Sequence, residues 1–292
     1  MATKREGRFI ETPLTLSRTN PFALTRVPRY GARMPFDLAH YHALRRSSRV
    51  GVEVAYLEAT TSTMDDARAG AAEGHPAGTA YIAGEQSAGR GRQGRSWISA
   101  ASAGLYVTYH LSPERTEGAP LLGLAAAVAA AEAVQAACGL PVDLKWPNDL
   151  QVGGKKLAGI LAEARPRGTG LDVFVGIGIN LRTAAELPPE VAAIATSIEG
   201  AGYPAPPREV LLAALSTAFD ARSAQAEADP AALLAEWRSR LVTLGQQVRL
   251  ATPSGEVEGE AVDVTSTGEL VLALPSGERR SFAAGDVTTV RR

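Results

Sequence analysis

Apolar and polar positions follow two different patterns along the chain, which predict a large unit of helices and strands followed by a small unit of strands alone. Helical spacing and capping residues predict helices at 36–44, 62–72, 121–137, 208–226 and 230–241. Alternation and short apolar runs predict strands at 51–57, 81–83, 105–111, 142–146, 157–164 and 172–180. Because consecutive strands without helices between them pair antiparallel, we expect the α+β class, with a mixed, mainly antiparallel sheet and helices on one face.

The pattern changes after residue 241. Short strands are predicted at 248–250, 257–264, 270–274, 279–282 and 287–290, with Ser-Gly and Thr-Gly turns between them. Several short strands within about fifty residues are typical of a small β-barrel. We therefore divide the chain into a disordered basic leader at 1–35, a main domain at 36–241 and a C-terminal barrel at 242–292.

The charge is balanced overall but not along the chain. Lys and Arg number 30 against 31 Asp and Glu, yet residues 1–49 hold ten basic and three acidic side chains. The leader is broken by proline and lacks an apolar core, which excludes a secretory signal. A nucleic-acid tail, a transit peptide and an over-extended translation start share this composition. We favour an unstructured leader without function.

Residues suited to metal binding or membrane crossing are scarce. The lone Cys138 cannot form an internal disulfide or a thiolate metal site. The four histidines are His40, His42, His75 and His110. They show no spacing typical of metal ligands beyond the i, i+2 pair of His40 and His42. The apolar stretch 121–137 contains Glu132 and Gln135, which favours a buried helix over a membrane span. We expect no metal site in the protein, no membrane association and a reducing, cytoplasmic location.

The most informative segment is 85–97, EQSAGRGRQGRSW. Its glycines let the backbone bend over a ligand, its arginines match phosphate geometry, and Trp97 offers a flat face for a nucleobase. Gly/Arg sequences also form solvated or RNA-binding tails. The position between two predicted core strands favours a ligand-binding surface loop, assigned to 84–95. This loop matches neither a Walker motif nor a dinucleotide-binding fingerprint.

Two further segments place polar groups at strand ends. Residues 145–150 read KWPNDL, a turn that presents an amide and a carboxylate, and Lys156 begins the strand returning after Gly153-Gly154. On spacing alone, a lysine beside a carboxylate favours a surface ion pair over a functional pair. Residues 176–181 read GIGINL, with glycines on one face of a strand. Such a strand accepts either a flat group or a closely packed helix.

Taken in order, Ser62-Thr63, EQSAGRGRQGRSW, KWPNDL, KKLAGIL and GIGIN resemble the motifs of bacterial biotin protein ligases, over residues 51–292. Lipoate ligases share the catalytic fold but lack the arginine-glycine loop. The resemblance implies a catalytic domain like that of class II aminoacyl-tRNA synthetases and an SH3-like C-terminal domain. It implies that biotin and ATP, with Mg²⁺, form biotinyl-5′-AMP and pyrophosphate. A lysine of a biotin carboxyl carrier protein, from acetyl-CoA carboxylase or a related carboxylase, then displaces AMP.

The resemblance also implies residue roles. Biotin contacts are expected from Ser62, Thr63, Met64, Gln86, Arg90, Gly91, Arg92 and Lys156. Contacts to ATP or the adenylate are expected from Arg92, Arg95, Trp97, Lys145, Asn148 and Asn180. Arg92 and Lys156 are expected to be the catalytic cations, and Asp149 is expected to orient or accept the proton of the acceptor lysine. Where the family often has asparagine, this chain has Met64, which is expected to contribute only its backbone.

Several alternatives remain open. Many bacterial members carry an N-terminal winged helix-turn-helix, which needs two helices, whereas this sequence predicts one helix between Phe36 and Arg46. We therefore predict a ligase that is not a repressor and does not bind DNA, as a monomer or a homodimer. A lipoate-type ligase, a transferase acting through the Cys138 thiol, and a non-catalytic RNA-binding module are the competing functions.

Overall fold

The computed structural model describes residues 36–184, 187–252 and 255–290, so the predicted leader lies outside the described residues. Within these ranges the main domain contains a seven-stranded sheet in the order β1-β2-β3-β7-β6-β5-β4. β1 and β2 are parallel, and the other neighbours are antiparallel. The strands are β1 (Val54–Thr60), β2 (Ala80–Gln86), β3 (Gly104–Leu111), β4 (Asp143–Lys145), β5 (Asp149–Val152), β6 (Lys155–Arg167) and β7 (Gly170–Asn180). The predicted mixed sheet is confirmed.

The helices begin largely where capping residues predicted. They are α1 (Leu38–Leu44), α2 (Thr63–Ala72), α3 (Leu122–Cys138), α4 (Pro189–Ile194), α5 (Arg208–Ala228) and α6 (Pro230–Ser239). The Ser62 hydroxyl accepts a hydrogen bond from the Met64 N–H and caps α2, and Asp229 caps α6 ahead of Pro230. These contacts satisfy amides that lack a partner in the first helical turn. The sequence analysis missed α4, a short helix without buried residues.

The sheet is covered on both faces, so the expectation of helices on one face is wrong for α2. α3 and α5 pack on the face to which Val107 and Ile177 point. α2 packs on the opposite face, where Met64 meets Tyr81 and Phe174. Every residue of β3 is buried. A strand buried on both sides gives no polar alternation from which an open face could be recognised.

The long apolar helix is part of the core. The segment Thr116–Cys138 is long and apolar enough to cross a membrane. Its apolar 18-residue stretch has a mean hydropathy of 1.7, and 72% of that stretch is buried inside the protein. It packs against α5 and the sheet. This placement agrees with the buried helix predicted from the sequence.

Two boundaries differ from the sequence-based prediction. β1 starts at Val54 rather than at residue 51, because Gly51 adopts a positive φ of 70° in a turn. Gly84 is buried in β2, so the predicted surface loop begins only at Ser87. We call residues 87–97 the arginine loop. Gly153 and Gly154, with φ of 57° and 78°, form the predicted turn between β5 and β6.

The C-terminal unit is a five-stranded antiparallel sheet in the order β11-β10-β9-β8-β12, and its strands lie where the sequence predicted them. They are β8 (Gln247–Thr252), β9 (Gly255–Val264), β10 (Leu270–Ala273), β11 (Arg279–Phe282) and β12 (Asp286–Thr289). The arrangement is consistent with an SH3-like fold. The unit is fixed to the main domain by Trp146, whose indole N–H donates to the Gly268 carbonyl at 3.0 Å and whose backbone N–H donates to the Thr243 hydroxyl at 3.0 Å.

Candidate active site

A cavity of about 1240 Å³ lies between the α2 face of the sheet, the arginine loop, the β4–β5 turn, α4 and β12. Its lining contains every site residue expected from the sequence. These are Ser62, Thr63, Met64, Gln86, Arg90, Gly91, Arg92, Arg95, Trp97, Lys145, Asn148, Asp149, Lys156 and Asn180. The fold therefore gathers five separate sequence segments around one space.

One end of the cavity is a chain of polar side chains anchored at the start of α2. The Thr63 N–H and hydroxyl both donate to Gln86 Oε1, at 2.9 and 3.1 Å. The hydroxyls of Thr63 and Thr108 lie 2.9 Å apart, and Gln86 Nε2 donates to the Ser99 hydroxyl at 2.6 Å. Thr108 also lines the cavity, and the sequence analysis missed it because a lone threonine within an apolar strand gives no functional signal.

Met64 forms an apolar floor beside these polar groups. Its side chain is only 3% exposed and belongs to the small core beneath α2. A Cβ at Gly176 would lie 3.1 Å from the Met64 methyl carbon, so the glycine leaves room for it. Met64 is among the residues that line the cavity, and the expectation that residue 64 contributes only its backbone stays a prediction.

The glycines of β6 and β7 make room for the indole of Trp97. A Cβ at Gly178 would lie 2.5 Å from Cε2 and Nε1 of Trp97, and one at Gly159 would lie 3.0 Å from Cζ3. Real Cβ atoms do not come so close, and only glycine permits the ring to lie on the sheet. The sequence left open whether a flat group or a helix covers the glycine face of this strand. At Gly178 it is a flat group, the indole of Trp97.

Lys156 and Asp149 form an ion pair inside the cavity rather than on the outer surface. Nζ of Lys156 lies 2.6 Å from Oδ1 of Asp149, and the two side chains are 30% and 21% exposed. They stand on the two arms of the β5–β6 hairpin, as predicted. The same ammonium lies 5.5 Å from the centre of the Trp97 ring, within range of a cation–π interaction. The pair thus places one cation beside the indole.

Two guanidinium groups of the arginine loop form ion pairs with other elements. Arg90 Nη2 lies 2.6 Å from Oδ2 of Asp65 in α2. Arg95 Nη2 lies 2.7 Å from Oδ1 of Asp286 in β12. Backbone pairing within the loop, with the Gly91 N–H donating to the Arg95 carbonyl at 2.7 Å, shapes it as a small hairpin. The loop is therefore tied to α2 on one side and to the C-terminal unit on the other.

Arg92 is the most buried of the three arginines in the arginine loop. Its Nη1 donates to Oδ1 of Asn148 at 3.3 Å. Burial lowers the pKa of Arg92 from its ordinary value, while the carboxylates of Asp286 and Asp149 oppose this and Arg95 adds to it. Arginine stays charged in proteins even so. A partly desolvated cation of this kind interacts more strongly with a bound anion than one in bulk water.

The two asparagines hold neighbouring backbone in place. Asn148 Nδ2 donates to the Ile160 carbonyl at 2.7 Å. Asn180 Nδ2 donates to the Thr196 carbonyl at 2.9 Å, and the Thr196 N–H donates to the Lys156 carbonyl at 2.8 Å. The segment that follows α4 is thereby attached to the strand carrying Lys156. Direct contact of Asn180 with a nucleotide remains a prediction.

The described residues that line the cavity do not include a cysteine. Cys138 is half-buried, its thiol donates to the Val134 carbonyl at 3.2 Å, and burial raises its pKa. It does not line the cavity. Across the ranges that the structure describes, no group of three or more His, Cys, Asp or Glu could hold a metal ion.

Comparison with known proteins shows the family of the chain. Residues 56–180 match the model of the biotin/lipoate A/B protein ligase family, and 243–288 match the biotin protein ligase C terminal domain. The chain is 37% identical to a biotin--[acetyl-CoA-carboxylase] ligase of Mycobacterium tuberculosis over 243 residues, covering 80% of this chain and 87% of the relative.

Two solved structures extend the likeness. The chain resembles a biotin protein ligase of Aquifex aeolicus in complex with biotin and ATP, with a TM-score of 0.70 and 28% identity, covering 82% of this chain and 100% of that one. It also resembles a Leishmania major biotin protein ligase in complex with biotinyl-5-AMP, with a TM-score of 0.55 and 28% identity, covering 80% and 99%. Domain content, identity and cavity together show that this chain belongs to the biotin protein ligases.

Proposed function

We propose that both half-reactions of biotin attachment take place in this cavity, with biotinyl-5′-AMP held there between them. The observation that carries this proposal is the joint placement of Lys156, Arg92 and Trp97 around one space of about 1240 Å³. In the first half-reaction a biotin carboxylate oxygen attacks the α-phosphate of ATP, and the bond to pyrophosphate breaks. In the second, an acceptor lysine attacks the acyl carbon and AMP leaves.

The first half-reaction brings two anions together, and this chain supplies fixed positive charge for it. Arg92 is bonded to Asn148, and Lys156 is paired with the next residue, Asp149. Successive residues therefore hold the two cations beside the same turn. Preorganised charge in a site shielded from water stabilises an anionic transition state without reorganisation at the moment of reaction.

We assign the ends of the substrates from the chemistry of the lining. The ureido ring of biotin offers N–H donors and a carbonyl acceptor, which suits the polar chain of Thr63, Gln86 and Thr108. Met64 provides apolar contact for the ring carbons and sulfur. The face of Trp97 that is turned away from Gly178 is the stacking surface for adenine. Arg95 and Lys145, which also line the cavity, are assigned to the phosphates.

In the second half-reaction the acceptor lysine must be neutral to attack. Asp149 is a carboxylate on the cavity wall, within ion-pair distance of Lys156. We assign it to orient the incoming amine and accept its proton. General-base assistance of this kind contributes about 10²–10⁴-fold to rate.

The residues present do not offer a site of their own for Mg²⁺. Within the described part of the chain, the carboxylates lining the cavity are Asp149 and Asp286, and each is paired with a cation. Mg²⁺ is commonly bound through substrate phosphates and water. We infer that it enters with ATP and neutralises the β- and γ-phosphates of that substrate.

The acceptor, location and assembly follow from the same proposal. We propose a biotin carboxyl carrier protein of acetyl-CoA carboxylase or a related carboxylase as acceptor, and a cytoplasmic location. We propose an enzyme that does not bind DNA. Monomer and homodimer are both compatible with the proposal.

The test is incubation of the chain with ATP, Mg²⁺, biotin and a carrier domain. We expect biotin-dependent pyrophosphate release and, by mass spectrometry, one biotin on one lysine of the carrier. Replacing biotin with lipoate should abolish both signals. Transfer of lipoate at a comparable rate would instead support a lipoate-type ligase, and binding of RNA without pyrophosphate release would support the non-catalytic alternative.

A further inference from the structure

The C-terminal unit reaches the cavity through one strand. Asp286, Val287, Thr288 and Thr289 of β12 all line it. Asp286 is the acidic member of this strand and accepts a hydrogen bond from Arg95 at 2.7 Å. These partners are 191 positions apart in the chain. The contact therefore joins the arginine loop to a separate domain.

The two partners differ in how firmly they are held. The C-terminal unit is fixed to the main domain by buried Trp146, which bonds to both Gly268 and Thr243. The tip of the arginine loop, Gln93-Gly94, is exposed. Asp286 thus belongs to a unit attached through a buried side chain, whereas the tip of the arginine loop lies in solvent.

The negative charge of Asp286 does not attract the anionic substrates. A carboxylate on the wall of a phosphate-binding cavity repels ATP, so its presence calls for another role. It lies near enough to Arg92 to favour the charged form of that side chain, and it pairs directly with Arg95. Its electrostatic partner is the loop, not the nucleotide.

We propose that Asp286 is a positioning residue that holds the arginine loop closed over the bound acyl-adenylate through Arg95. This proposal rests on the proposed function. A mixed anhydride is destroyed when water reaches it, so a loop held down by the C-terminal unit prolongs the life of the intermediate. By this means the C-terminal unit contributes to retention of the intermediate without touching the reacting atoms.

The chain offers a matched control in the Arg238–Asp263 pair. It also joins the C-terminal unit to the main domain, at 2.8 Å, with side chains 52% and 48% exposed. The Arg95–Asp286 pair is 57% and 46% exposed. Neither Arg238 nor Asp263 lines the cavity. Asp263→Asn therefore removes a comparable ion pair without affecting the arginine loop.

The experiment compares the full chain with Asp286→Asn, Asp286→Glu and Asp263→Asn. Biotinyl-AMP is formed from ATP and biotin with pyrophosphatase present, the excess substrate is removed, and loss of the adenylate from the protein is timed. We expect loss about two- to fivefold faster in Asp286→Asn, since exposed ion pairs are worth up to about that factor. The KM for ATP should change by a smaller factor than the rate of adenylate loss, because removing the Asp286 carboxylate also removes its repulsion of the ATP phosphates.

Trypsin provides a readout that does not depend on activity. Cleavage after the arginines of the arginine loop should be faster in Asp286→Asn than in the original chain, both with and without bound biotinyl-AMP. Asp286→Glu keeps a carboxylate and should therefore keep the loop protected from trypsin. Asp263→Asn should be cleaved as slowly as the original chain. The difference should shrink at high salt, because the Arg95–Asp286 pair is exposed to screening.

Equal trypsin cleavage and equal adenylate loss in Asp286→Asn and the original chain would overturn the proposal. So would equal acceleration in Asp263→Asn, which would indicate a general effect on domain docking. If the original chain forms no adenylate, the proposed function fails, whereas the trypsin comparison without ligand still decides whether Asp286 restrains the loop.

Discussion

The indole of Trp97 rests on the backbone of Gly178, at a distance that leaves no room for a Cβ. This relationship connects two motifs that lie 81 positions apart, the arginine loop and the GIGIN strand. Gly159, on the neighbouring strand β6, completes the same surface. The glycines of both strands thus determine where the aromatic wall of the cavity stands.

Gly178→Ala should displace that wall. The new Cβ would lie 2.5 Å from the indole, so Trp97 must move and its stacking surface with it. Overpacking of this kind costs about 1–3 kcal/mol. At that cost we expect the KM for ATP to rise about fivefold or more, measured by biotin-dependent pyrophosphate release.

A matched glycine substitution controls for this change. A Cβ at Gly123, in α3, would meet only Ala162 Cβ at an ordinary 3.5 Å. Gly123→Ala should therefore leave the KM for ATP unchanged and slightly stabilise the helix. An unchanged KM in Gly178→Ala would contradict the role assigned to Trp97.

Lys156→Gln should abolish most adenylate formation. The variant removes the ammonium that sits between Asp149 and the Trp97 ring. Loss of one preorganised charge-stabilising group costs about 10²–10³ in rate. The measurement is single-turnover formation of biotinyl-AMP at saturating biotin and ATP.

The adjacent lysine is the control. Lys155 is exposed and does not line the cavity, so Lys155→Gln should keep the original rate within about twofold, as surface substitutions generally do. If both variants react equally, the charge at residue 156 is not what drives the first half-reaction.

Cys138→Ala should retain biotin attachment. The thiol is half-buried, has a raised pKa and lies outside the cavity. A transferase that used this thiol would lose activity altogether. Quantitative mass spectrometry of the carrier, with the original chain alongside, measures the difference.

Asp172→Asn should weaken the fold in a pH-dependent way. Burial would raise the pKa of Asp172, but hydrogen bonds from His110, Ser112 and Arg167 outweigh it and hold the pKa below its ordinary value. The carboxylate therefore contributes stability above pH 3.8, its ordinary pKa, and this contribution is lost as the pH falls through the lower folded value.

We expect the substitution to lower the free energy of unfolding by about 1–3 kcal/mol at pH 7. The difference should narrow as the pH falls below 3.8, the ordinary pKa of the group. Urea unfolding at pH 7 and pH 3 measures both values. A difference that grows in acid would show that the sign assigned to Asp172 is wrong.

The sequence by itself determined the features that depend on neighbours in the chain. Ser62 and Asp229 cap their helices from one position away, and Gly153-Gly154 closes a hairpin with φ values that glycine adopts freely. Burial alternates along the short strands β8 and β10, because one face of each strand packs inside the unit. Helix caps, turns and alternating burial depend on residues close in sequence, so they can be predicted from the sequence.

Only the tertiary structure decided which distant groups meet. Nothing in the order of residues indicated that α2 would cover the second face of the sheet, that Trp97 would lie on Gly178, or that Arg95 would reach Asp286. Such contacts depend on how whole elements pack, and many sequences with the same pattern would pack differently. The chemistry of the cavity is therefore set by residue types along the chain, and its geometry by the fold that gathers them.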